Sequence, residues 1–133
     1  VLQAVADTHA VIWYVYADYR LSTTARTTID NIASRGNQVG LSSITLAEIV
    51  YLCEKRRIAV DTLLRLLIAL DQSDAVFTEL PLNRNIISTM QSVERAQVPD
   101  LPDRIIAATA LYCDLPLISR DRKIQLSDIT TIW

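Results

Sequence analysis

The first six residues, Val1–Ala6, are almost all apolar and read as a short strand, and Ala10, Trp13, Tyr14 and Ala17 then recur at helical spacing. Ser22, Thr23 or Thr24 can cap a second helix reaching about Arg35, with Gly36 as its stop. A second strand over Asn37–Leu41 leads to Ser42-Ser43, which cap a helix carrying Glu48 to about Arg57. Asp61 opens a leucine-rich helix to about Asp71, and Val76–Leu80 reads as a third strand. A helix near Asn83–Arg95, a loop around Pro99 and Pro102, and a helix beginning at Asp103 and ending before Pro116 follow. Leu117–Ser119 reads as a fourth strand, a short turn or helix follows Asp121, and Ile129–Trp133 as a fifth strand. Strands alternating with helices predict an α/β fold, a mainly parallel central sheet of about four or five strands with helices on both faces. Sites in such sheets form just beyond the carboxyl ends of the strands.

Against this pattern four acids stand out: Asp7, Glu48, Asp103 and Asp121. Asp7 is the only formally charged side chain between Val1 and Ala17, and Glu48 the only one between Leu41 and Cys53. An ionised carboxylate in an apolar run needs a partner, or it neutralises itself. A divalent cation shared among the four supplies one, and all-oxygen ligands select Mg²⁺ or Mn²⁺. Asp7 follows the first strand and Asp121 the fourth, Asp103 opens a helix, and Glu48 lies one to two turns into its own. Convergence of all four at one sheet edge is therefore expected.

With 133 residues, half of them apolar, the chain is expected to form a single domain over 1–133. Cys53 and Cys113 lack CxxC spacing and lie in apolar stretches, as in a reducing cytosol. The start VLQAVADTHA lacks a basic leader and the apolar runs are short, so a soluble, cytoplasmic protein is expected. With Val1 in place of Met at the start, the natural first residue is expected to have been trimmed or replaced. A net charge of −2 argues against a broad cationic surface that binds nucleic acid by counterion release alone. Cations cluster only at Lys55-Arg56-Arg57, read as a solvated helix end, and at Arg120-Asp121-Arg122-Lys123.

The segments VADTHAVIWYVYA, LSSITLAEIVYLCEK, PDLPDRIIAATALYCDLPLISRDRKI and the closing TTIW together resemble the PIN-domain family, and within it the VapC-type ribonuclease toxins of toxin–antitoxin pairs. The resemblance runs over nearly the whole chain. It implies a PIN-like fold and makes Asp7, Glu48, Asp103 and Asp121 the metal ligands of a ribonuclease using Mg²⁺ or Mn²⁺. Thr8 is the hydroxyl that follows the first acid in this family, and Ser119 stands where many members have threonine. Asp100 matches an additional acid of the Asp-x-x-Asp-Arg motif and is read as a helix cap or support. The resemblance also implies an RNA substrate, a homodimer, and an antitoxin whose segment lies in a groove between the leucine-rich helix and the helix of Glu48 and Tyr51.

Arg120, Arg122 and Lys123, near Asp121, are candidates for holding the RNA backbone. Arg104 is a further candidate, with pairing to a neighbouring acid slightly preferred. His9, the only histidine, is expected to point away from Asp7 and not to act as a base. Trp13 and Tyr14 are read as core, although with Tyr16 they have the shape to stack bases. The segment Leu63–Leu70 is apolar almost all round, which implies either a covering partner or full burial. The alternative functions are a catalytically silent PIN-like module that binds RNA or protein, and a phosphatase with Asp7 as nucleophile. The presence of all four acids argues against the first; His9, where a second aspartate is usual, argues against the second.

Overall fold

Alternation along the strands decides how the two faces of the sheet are covered. Strands β1 (Leu2–Ala6), β2 (Gln38–Ser42), β3 (Phe77–Leu80), β4 (Leu117–Ile118) and β5 (Thr131–Ile132) pair in parallel in the order β3-β2-β1-β4-β5. The computed structural model describes residues 1–133. Ala4, Ala6 and Ile118 enter one buried core, whereas Val5 and Leu117 enter the other. Both faces are therefore apolar and covered, as a parallel sheet requires.

Helices α1 (Thr8–Val15), α2 (Thr23–Ser34), α3 (Ser43–Glu54) and α4 (Thr62–Leu70) supply the first core with Ile12, Ile29, Ile49 and Leu66. Helices α5 (Arg84–Thr89), α6 (Leu101–Cys113) and α7 (Arg122–Gln125) supply the second with Ile86, Ile106 and Ile124. The strand order reverses between β1 and β4, the kind of position at which open α/β sheets leave a crevice. None of the helices is long and apolar enough to cross a membrane. Cys53 and Cys113 are both unpaired.

The predicted elements are all present, with shifted ends. Helix α1 stops at Val15, because Ala17 turns left-handed at φ 51 while Asp18 N–H reaches back to the Trp13 carbonyl at 2.8 Å. Helix α3 ends at Glu54, short of Arg57, through the same device at Arg56, φ 57. Gly36 stops α2 as expected, at φ 75. The helix expected over Asn83–Arg95 is broken. It is α-helical only to Thr89 and then tightens into a 3₁₀ turn over Met90–Ser92. Arg104 accounts for the break, since its guanidinium takes the carbonyls of Met90 and Val93 at 2.9 and 2.8 Å and draws the chain off the helical path. Helix α6 begins at Leu101, two residues before the expected Asp103, because Asp100 accepts from Asp103 N–H at 3.1 Å and Pro102 sits where no N–H is needed.

Candidate active site

Asp7 is placed by two bonds. Its N–H donates to Ile118 O of β4 at 3.1 Å, and its Oδ1 caps α1 by accepting from Ala10 N–H at 2.9 Å. Ser119 leaves β4 fully buried, and its Oγ accepts from Asp121 N–H at 3.0 Å. Asp121 in turn caps α7, accepting from Lys123 N–H at 2.8 Å and Ile124 N–H at 3.3 Å. The carboxyl ends of β1 and β4 thus deliver two aspartates, each held by the start of the next helix. Asp103 lies in the first turn of α6, close enough to Asp121 for the two charges to act on each other.

Asp7, Asp103 and Asp121 line one cleft of about 370 Å³. Glu48 does not line it. Its Oε1 accepts from the buried Thr8 hydroxyl at 2.5 Å, and Thr8 Oγ1 lies 3.0 Å from Thr45 Oγ1. Thr8 therefore links the residue beside Asp7 to α3. No three of the His, Cys, Asp or Glu side chains converge tightly enough to hold an ion as they stand.

Burial, with like charges adding to it, raises Asp7, Glu48 and Asp103. Burial pushes the Asp7 carboxyl up, against the lowering influence of the neighbouring Ser119 hydroxyl and the bond from Ala10 N–H, and the charge of Asp121 adds to it. Burial also raises Glu48, with Asp100 and Asp7 adding to it against the bond from Thr8. Burial, then the charges of Asp100 and Asp121, push Asp103 up to about 7. An acid raised on folding holds protons that the unfolded chain has released, so stability falls as pH rises from about 4 through about 7. Asp18, at about 2, and Asp61 are lowered by their partners and act below that window. Without divalent ions the melting temperature is therefore expected to be several degrees lower at about pH 8 than at about pH 5. Asp103→Asn should remove much of the difference, on the order of 1–2 kcal/mol once solvent contact is allowed for. A melting temperature that climbs over this range in calorimetry contradicts the assignment.

The remaining candidates separate. Arg120 lines the cleft, with Cζ 4.6 Å from the Trp13 ring centroid. Arg122 and Lys123 do not line it, and both are exposed on α7. Arg104 pairs with no acid; its binding of the Met90 and Val93 carbonyls corrects that expectation and commits its guanidinium to the fold. Asp100 is the cap of α6, one of the two roles expected for it. His9 is a second correction. It lines the same cleft as Asp7, because the first turn of α1 carries both toward that edge, and its ring lies 5.4 Å from Trp13. Trp13 is core in burial, 4 % exposed, yet it also forms part of the cleft wall, packed on Trp133 at 5.9 Å. Arg20 was not expected. Its Nε and Nη2 bond Asp18 at 3.1 and 2.7 Å, and its Cζ lies 5.2 Å from the Trp13 centroid. The only sign of it in the chain is the return of charge at Asp18 and Arg20, after a segment whose one formal charge is Asp7.

The PIN domain model matches residues 4–129, a span that holds all four acids. The chain belongs to the PIN domain family. Among solved structures, the PIN fold recurs in VapBC2 from Rickettsia felis bound to a DNA fragment from their promoter, with 16% identity, TM-score 0.70, and 98% of this chain and 97% of that one covered. A toxin–antitoxin complex from Klebsiella pneumoniae matches with 23% identity and TM-score 0.68 over 98% and 97% of the two chains. FitAcB from Neisseria gonorrhoeae matches with 21% identity and TM-score 0.65 over 97% and 96%. At these identities the likeness is one of fold. No curated protein sequence matches the chain.

Proposed function

We propose that this PIN domain, a single unit over 1–133, is a metal-dependent endoribonuclease and the cytoplasmic toxin of a toxin–antitoxin pair. The observation that carries the reading is the delivery of Asp7, Asp103 and Asp121 to one cleft from three separate elements at the strand-order reversal. Three carboxylates facing a common space repel any phosphate unless a cation sits among them, and an all-oxygen donor set fits Mg²⁺ or Mn²⁺. Asp7, Asp103 and Asp121 would hold that ion, with Glu48 completing the set from α3. As they stand, no three of the acids are grouped to hold an ion. A cation among them offsets the burial and the like charges that raise Asp7 and Asp103.

When bound, such an ion lowers the pKa of water and offsets charge between phosphate and carboxylates. The chain's own residues do the rest. Thr8 holds Glu48 by its hydroxyl bond, and Ser119 holds the backbone of Asp121. Arg120 supplies a cation beside the acids for the substrate phosphate. The toxin–antitoxin complex from Klebsiella pneumoniae, of similar fold, supports an antitoxin partner. Its proposed seat is the apolar face of α3 and α4, which exposes Tyr51, Leu64 and Ile68, and a homodimer is proposed with it. Incubation of a mixed RNA pool with the purified chain should give fragments bearing 5′-phosphate and 3′-hydroxyl ends in Mg²⁺ or Mn²⁺, and none in a chelator. A pool left intact with either ion leaves the silent binding module as the reading.

A further inference from the structure

The acid cleft has a neighbour. A second cleft of about 290 Å³ lies between the end of α1 and the loop joining α3 to α4, and Arg20 lines both. Asp18 and Arg57 line the second cleft with it, above an apolar floor that includes Ile12 and Ile58. The two left-handed helix ends build this arrangement. Ala17 closes α1 and Arg56 closes α3, and the residues that follow them, Asp18 and Arg57, turn into the same space.

The cations here are unequal. The chain forms two ion pairs, Arg20 with Asp18 and Arg65 with Asp61, and neither Arg57 nor Arg120 belongs to one. Asp18 fixes Arg20 with three bonds, two from the guanidinium and one from the Arg20 N–H at 2.9 Å. The guanidinium is thereby held beside Trp13 at the junction of the two clefts. Asp18 cancels one of the two arginine charges in the second cleft, and the free charge is that of Arg57. Arg120 in the acid cleft, the Asp18-paired Arg20 at the junction and Arg57 in the second cleft thus follow one another away from the three aspartates, with free charge at the two ends, in a chain whose net charge is −2.

We propose that this line is a track for single-stranded RNA, with Arg57 in the second cleft taking a phosphate of a nucleotide next to those in the acid cleft. The proposal rests on the ribonuclease reading and adds to it the requirement for a strand longer than the bond that is cut. A polyanion with regularly repeated phosphates meets spaced cations of this kind, and each contact contributes affinity that salt weakens. A solvated helix end, the expectation for Lys55–Arg57 from sequence, contributes none.

The test uses the full chain carrying Asp7→Asn, so that RNA is bound and not cut, with fluorescently labelled mixed-sequence RNA of about three and about ten nucleotides, a span set by the few-nucleotide sites of single-strand binders. The longer RNA should bind about tenfold tighter, and Arg57→Ala should remove most of that gain and lower the salt slope of log Kd by about 0.7, one phosphate contact on a single strand. Arg57→Lys should restore the slope. Arg57 makes no side-chain bond, so an unchanged melting curve is expected and confirms that binding alone is read. Equal affinity and slope for the ten-nucleotide RNA with and without Arg57 overturns the track while leaving the ribonuclease reading intact. Weakened antitoxin binding with unchanged RNA binding assigns the second cleft to the protein partner and also overturns it. If the parent chain neither cuts nor binds RNA, the ribonuclease reading fails and takes the track with it.

Discussion

Asp7→Asn and Asp103→Asn are each expected to lower metal-dependent RNA cleavage by at least about a hundredfold while leaving the protein as stable as before or more so. Loss of activity follows from loss of ligand charge, since an amide oxygen holds a divalent ion far less well than a carboxylate. Preserved folding follows from the local geometry. Asn caps a helix about as well as Asp, so the bond from Ala10 N–H to residue 7 survives. At position 103 the exchange removes a carboxylate disfavoured by burial and by the charges of Asp100 and Asp121, so stability gained near pH 8 should vanish near pH 4, where the acid is already protonated. Cleavage rate and melting temperature measured on the same preparations separate the outcomes. Activity and stability falling together would instead mark these aspartates as structural, and full activity in either variant would remove it from the site.

Much of this site is legible along the chain because its parts obey local rules. A short strand followed at once by an acid and a helix places Asp7, and the same grammar places Asp121 after β4; both prove to be helix caps. Glu48 and Asp103 lie on helices whose starts are marked by Ser42 and by the Asp100–Pro102 segment. What escapes a reading of the chain depends on contacts across it. Arg104 looks like a partner for a neighbouring acid, and only the approach of the 3₁₀ turn at Met90–Ser92 shows that backbone carbonyls claim it. His9 sits two residues from Asp7 on a helix, which predicts a divergent direction, yet the crevice at the strand reversal is wide enough to take both. Arg20 has no periodic signature, because α1 has already ended and the left-handed turn at Ala17 decides where it goes. The leucine-rich segment illustrates the same limit. Its pattern left burial and partnership equally open, whereas the packing buries Leu66 and leaves Leu64, Leu67 and Ile68 exposed.

That division of α4 makes Leu67→Asp the decisive substitution for the partner. Leu66 is 1% exposed and would unfold the domain if charged, but Leu67 is 40% exposed, so an aspartate there meets water in the free chain. Surface changes of this kind usually alter stability by no more than about 0.5 kcal/mol. In a complex the same carboxylate would be driven into an apolar contact, at a cost of roughly 2–4 kcal/mol, or about thirtyfold to a thousandfold in affinity. The expected result is a chain that melts normally, cleaves RNA normally and escapes its antitoxin, so that co-expression with the adjacent small gene product no longer protects the cell. Titration of the purified antitoxin against both chains measures the loss directly. Unchanged affinity would place the antitoxin on another face. A lowered melting temperature that depends on protein concentration would show that α4 is covered by a second copy of the chain, leaving the antitoxin to bind elsewhere on the dimer.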